Sequence, residues 1–201
     1  MNYFKNTIFL LAILIGITGC KNEKKNEINP VKESEKISNA DLGLKYAMST
    51  KAELGKNLMG TIQSKGTEEA VTFCNVRAYP LTDSMAVVNK VIIKRVSDKP
   101  RNSNNVASLK EMDHIEKFKK TLASGQKMVP IIESLGNDSI QFYYPIITNK
   151  MCLQCHGEPN KDIKPNVLEK LTALYPADKA VGYSEDQVRG IWSIIMKNQE
   201  K

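Results

Sequence analysis

The segment Cys152-Leu153-Gln154-Cys155-His156 carries the most specific chemistry in this 201-residue chain. Two thiols separated by two residues have the spacing at which a polypeptide captures the vinyl groups of a haem through thioether bonds. The adjacent histidine can then ligate the iron from one face. Leu153 and Gln154 read as free spacers. With a third cysteine the same residues could build a Cys3His zinc site. However, Cys155 and His156 are neighbours in the chain, an awkward placement for two ligands of one tetrahedral ion.

The remaining cysteines are Cys20 and Cys74. Cys20 closes an N-terminal export pattern, in which Lys5 supplies a positive start and residues 8–17 (IFLLAILIGI) form a short apolar run. That run falls below the roughly 20 residues that span a bilayer comfortably. Ile17-Thr18-Gly19-Cys20 resembles the lipobox of bacterial lipoproteins, so cleavage before Cys20 would leave it as a lipidated first residue. An uncleaved N-terminal anchor is the alternative. Either one tethers the protein in the cell envelope, facing the periplasm or the cell exterior. By resemblance to bacterial c-type cytochromes, that is also the side on which haem is attached.

In such a compartment disulfides are the normal fate of thiols, and with Cys152 and Cys155 taken by haem, Cys74 is left without a partner. It is either a small buried hydrophobe or the second axial ligand of the iron. Histidine supply is thin, because besides His156 there is only His114. His114 lies in a charged stretch, residues 110–120 (KEMDHIEKFKK), that reads as the solvated side of a helix. Most methionines fall where helical spacing explains them as core.

The formal charge is +7; removing residues 1–19 takes away one lysine and leaves 182 residues at +6, a length suited to one domain. Residues 21–36 (KNEKKNEINPVKESEK) mix five lysines with four glutamates and hold no aromatic residue, so they cannot bury a core. The expected organisation is a signal segment over 1–19, a charged flexible tether over 20–37, and a haem-binding domain over 38–201. The modest positive charge suits an acidic redox partner protein, and no nucleic-acid motif is present.

Within the domain the periodicity predicts an α+β fold. Leu44, Ala47, Met48, Leu58 and Ile62 give a long N-terminal helix over 38–62, with Gly66 ending the segment. Thr67 then caps a second helix whose Ala70, Phe73, Cys74 and Arg77 share a face, and Pro80 ends or kinks it. Residues 91–96 (VIIKRV) read as a strand, 97–105 as a loop and 106–122 as a helix. Two strands over 127–133 and 139–148 form a hairpin at Gly136-Asn137-Asp138. The Cys152–His156 motif then falls on a loop anchored by sheet. A short helix over 166–175 stops at Pro176, and 191–196 form a last strand. The expected architecture is a small antiparallel sheet with helices on one side.

Several segments resemble one family, the bacterial c-type haem domains with a PAS-like fold, long known as a domain of unknown function. Residues 70–78 (AVTFCNVRA) are similar to its cysteine-bearing helix and residues 95–105 (RVSDKPRNSNN) to its basic loop. Residues 142–157 (FYYPIITNKMCLQCHG) are similar to the strand leading into its haem site, and 175–193 (YPADKAVGYSEDQVRGIWS) to its C-terminal signature. The resemblance spans residues 40–196 and implies His156 and Cys74 as axial ligands of one covalent haem c. One departure is Arg101-Asn102-Ser103, where related sequences tend to have Arg-Asn-Pro.

The basic loop offers Arg95 and Arg101 as charge-assisted contacts for the anionic haem propionates, with ordinary surface charge as the alternative. Lys99 is a weaker candidate, and Tyr143, Tyr144 and Trp192 are candidates to wall the pocket. Anionic sulfur on iron favours the ferric state, so a low potential is expected. The expected role is an exported, lipid-anchored single-haem cytochrome for electron transfer. The alternative is a redox or gas sensor that works by loss of the Cys74 ligand. Catalysis is not expected, because peroxidase chemistry needs acid/base groups at an open site.

Overall fold

The computed structural model describes residues 37–200; the export pattern, Cys20 and all but the last residue of the tether fall outside them. The chain begins with α1 (Asn39–Asn89), entered through Ser38, whose side chain accepts from the Asp41 N–H. Gly66 breaks this helix at φ 86°, ψ 171°, a conformation open to glycine and strained for other residues. The break falls where the sequence places it. Pro80 does not end the second segment, which runs on to Asn89 and closes on Lys90 in the left-handed region.

The sheet holds β1 (Ile92–Val96), β2 (Ile131–Gly136), β3 (Ser139–Ile147) and β4 (Val188–Lys197) in the order β1-β4-β3-β2. Every pairing is antiparallel. The hairpin between β2 and β3 turns at Asn137 and Asp138, both with positive φ, as a tight two-residue turn requires. β2 starts at Ile131 rather than 127, directly after Pro130, which lacks the N–H a ladder needs.

Side-chain alternation divides the sheet into two apolar faces. One face, with Ile93, Phe142, Trp192 and Ile194, packs against Ala47, Leu44 and Leu54 of α1. Small residues allow this close approach: a Cβ on Gly43 would run into the Phe142 ring. The opposite face, with Val96, Tyr143 and Ile191, receives Ile115 and Phe118 of α2 (Leu109–Ala123). The sheet is therefore covered on both faces, not on one as expected. α2 carries many charges, but its Ile115 and Phe118 stripe is buried, and Ser108 and Glu111 close its start as a capping box.

A third cluster joins Val71 of α1 to Ile163 and to Val167 and Leu171 of α4 (Pro165–Leu174), with Cys155 packed against it. The mixed helix-and-sheet fold with a long N-terminal helix agrees with the sequence reading. Among the described residues, no helix is long and apolar enough to cross a membrane.

Candidate functional site

The Cys152–His156 motif lies on a short helix, α3 (Lys150–His156), rather than on the expected loop. The Asn149 side chain starts this helix by accepting from the N–H groups of Met151 and Cys152 at 3.0 and 3.3 Å. Just upstream, buried Thr148 donates its hydroxyl to Ser184 O at 2.7 Å, and its N–H to Gln187 O at 2.9 Å. The strand-to-helix turn is thus pinned to the loop before β4. Gln154 is not a free spacer: its Oε1 accepts from the Thr67 hydroxyl at 3.0 Å. That bond ties α3 to the break in α1 and gives Thr67 a role other than the expected cap.

His156 sits at the end of α3 with Nδ1 2.7 Å from Ala180 O. A carbonyl only accepts, so Nδ1 carries the proton and Nε2 keeps its lone pair. Burial, aided by the charges of Arg189 and Arg101, holds the imidazole well below its usual range, so it is neutral at pH 7. Tyr183 lies edge-on to the ring, centroids 6.5 Å apart. The N–H groups of Gly182 and Tyr183 donate to Gly157 O and His156 O, both at 2.9 Å.

Arg101 locks this arrangement. Its Nε donates to Asp178 Oδ2 at 3.0 Å and one Nη to both Cys155 O and Ala180 O. Ala180 O therefore serves the imidazole and the guanidinium together.

A single cavity collects the site. Cys74, Cys152, Cys155 and His156 all line it, with Arg95, Arg101 and Arg189. Its apolar wall comes from Leu54, Leu58 and Ile62 of α1 and from Trp192 of β4. The elements thus bring together the proposed haem-binding residues within the described region, Cys74, Arg95, Arg101, Cys152, Cys155 and His156, whereas Lys99 lies outside this cavity. Of the three aromatic candidates only Trp192 lines the cavity. Tyr143 is buried on the other face of the sheet, and Tyr144 packs in the α1-facing core.

His114 is not on a solvated face. Its ring meets that of Tyr143 at a tilt of 45°, centroids 4.4 Å apart, and Nε2 lies 3.3 Å from Glu133 Oε1. That separation suits an ion pair, although no well-directed hydrogen bond accompanies it. The sheet has turned this side of α2 inward, and His114 does not line the cavity.

Cys74, Cys152 and Cys155 are free thiols. Burial raises the Cys74 thiol, against the pull of Arg101, Arg95 and Arg189. Burial likewise pushes Cys155 up to about 11, with Arg101 opposing and Cys74 and Cys152 reinforcing the rise. Among the described residues, no group of three or more His, Cys, Asp or Glu side chains could hold a bare metal ion.

The residues fit a haem on three counts. Paired thiols stand on one short helix, a neutral imidazole keeps its Nε2 lone pair, and a third thiol lines the same cavity as three guanidiniums that favour anionic groups.

Sequence reasoning gave no role to Arg189. The register shows why: Ile146 pairs with Gly190 and Ile147 with Val188, which leaves Arg189 unpaired at a bulge. A bulge re-aims one side chain, so strict alternation mispredicts its direction. The one available signal is an arginine before Gly190 at the start of a strongly apolar strand. A Cβ on Gly190 would meet Val96 O, so the backbone is closely packed there.

The fold and site define a small mixed α/β domain whose histidine-backed CxxCH helix faces a third thiol across one cavity. The chain belongs to the Tll0287-like family, whose model matches residues 22–197. Among solved structures it is similar to the cyanobacterial heme-protein Tll0287, with a TM-score of 0.55 and 18% identity. That match covers 79% of this chain and 97% of the other. No curated protein matches the chain.

Proposed function

We propose that this protein is an exported, lipid-anchored cytochrome that carries one covalent haem c and transfers electrons at low potential. Cys152 and Cys155 would hold the haem through their sulfurs, and His156 and Cys74 would hold its iron. The observation that carries the reading is the convergence of Cys74 with the α3 helix on one cavity, where Ala180 O already fixes the His156 tautomer. Membership of a family that includes a haem protein supports it further.

When bound, a haem supplies one-electron exchange between ferric and ferrous iron. The chain's own residues do the rest. Ala180 O orients the imidazole and raises its basicity. Burial favours the neutral Cys74 thiol, and Arg101, Arg95 and Arg189 pull it back toward the anionic form. Anionic sulfur donates electron density and so favours the ferric state. Leu54, Leu58, Ile62 and Trp192 keep water from the cavity wall. Cys20 takes the lipid, and the charged tether holds the domain clear of the membrane in the cell envelope. The partner is an acidic redox protein, steered by the net positive charge.

A second reading, a redox or gas sensor, draws on the upward push that burial gives the Cys74 thiol. A sulfur that tends to regain its proton would be a poorer ligand for the iron of a bound haem. Denaturing mass spectrometry and potentiometry test the main reading. One haem should stay attached to the wild type and be lost from the Cys152→Ala, Cys155→Ala double variant. The midpoint should fall below that of His/Met cytochromes c. A non-covalent haem, or a midpoint in the His/Met range, overturns it.

A further inference from the structure

The three guanidiniums at the cavity are unequal in their partners. Arg101 is engaged by Asp178 and two carbonyls. Arg95 makes a single long contact, Nη2 to Ala78 O at 3.4 Å. The Arg189 guanidinium has no ion pair or hydrogen bond with any described residue, although its own carbonyl is fixed by the Ser97 hydroxyl at 2.6 Å. Both Arg95 and Arg189 line the cavity. Burial and the neighbouring charges of Arg101 and Arg95 bring Arg189 down to about 10.

Both residues are half-buried, and holding like charges side by side at a cavity opposes folding unless an anion joins them. The bulge places Arg189 at the cavity, where strict alternation would have put it on the Ile191 face of the sheet. We propose that Arg189, with Arg95, forms a carboxylate-binding pair for the two propionates of the haem, while Arg101 is a positioning residue for His156. This rests on the haem reading above and assigns the propionate contacts within it.

The pairing predicts a reversal of sign. In the full chain made without haem, Arg189→Gln removes an uncompensated charge, so the melting temperature should rise or hold. In the haem-loaded protein the same change leaves the carboxylates without their partner, so the melting temperature should fall. Arg189→Lys should recover most of that loss. Resonance Raman should show the propionate bending modes shifted in Arg189→Gln and unshifted in Arg101→Gln.

A fall in both forms, or a rise in both, overturns the proposal. So does failure of both variants to acquire haem, which would make Arg189 a folding residue. If acetate added at constant ionic strength stabilises the haem-loaded wild type but not Arg189→Gln, the pair takes a free anion and the propionate assignment fails. A colourless wild type would refute the underlying haem reading, and that result is seen before any variant is compared.

Discussion

Replacing Arg101 with methionine keeps much of the side-chain volume while removing the charge that joins three parts of the site. Arg101 and Asp178 are nearly buried, with side chains only 12% and 11% exposed. Removing one partner of such a pair costs about 3–5 kcal/mol, because the other charge is left desolvated and alone. Loss of the donor to Cys155 O and Ala180 O adds to this, but Asp178 keeps the Ala180 N–H at 2.8 Å, which moderates it. The expected loss is about 3–4 kcal/mol, or about 10 °C in melting temperature for a domain of this size.

Urea unfolding of the full chain, followed by far-ultraviolet circular dichroism, reads the loss directly. Asp178→Asn and the double variant complete a cycle whose coupling should be about 2 kcal/mol. A loss below about 1 kcal/mol, or strict additivity, would place the pair among weak surface contacts and refute the clamp.

Gly43→Ala should destabilise by about 1–3 kcal/mol through overpacking, despite gaining about 1 kcal/mol of helix propensity, because the new methyl meets the Phe142 ring; thermal unfolding checks this. In the haem-free protein Cys155 should resist iodoacetamide at pH 8 and react faster as the pH approaches about 11, where its thiol ionises. The sign for stability follows from the same shift. The folded thiol is raised above the ordinary thiol value of 9.0, so its contribution is complete below pH 9 and is lost between pH 9 and about 11. Urea midpoints measured across that window should fall for the wild type and fall less for Cys155→Ala.

Local signals made much of this fold legible in the sequence. Gly66 marks the break in α1, Asn137-Asp138 makes the hairpin, and the β-branched run ending at Val96 becomes β1. The candidate site residues were legible by type, since Cys74 and the Cys152–His156 motif stand out whatever their surroundings. What could not be read depends on tertiary contacts. The α3 helix is fixed by Asn149 and by a loop more than thirty residues downstream, through Thr148. His114 sits among charges, yet the second sheet face draws it inward against Tyr143. Arg101 looks like a surface charge in a loop and is a nearly buried clamp. Arg189 depends on a bulge that breaks the two-residue period.

Cys74 is the residue on which the ligation scheme turns, and the visible spectrum is its most direct test. Spectra of the haem-loaded wild type and of Cys74→Ser, oxidised, reduced and then exposed to carbon monoxide, would report the iron's sixth ligand. The account predicts an altered oxidised spectrum in Cys74→Ser, with carbon monoxide binding readily to the reduced variant and poorly to the reduced wild type. Ready binding by the wild type would favour the sensor reading over electron transfer. An oxidised spectrum unchanged by the substitution would contradict ligation by Cys74.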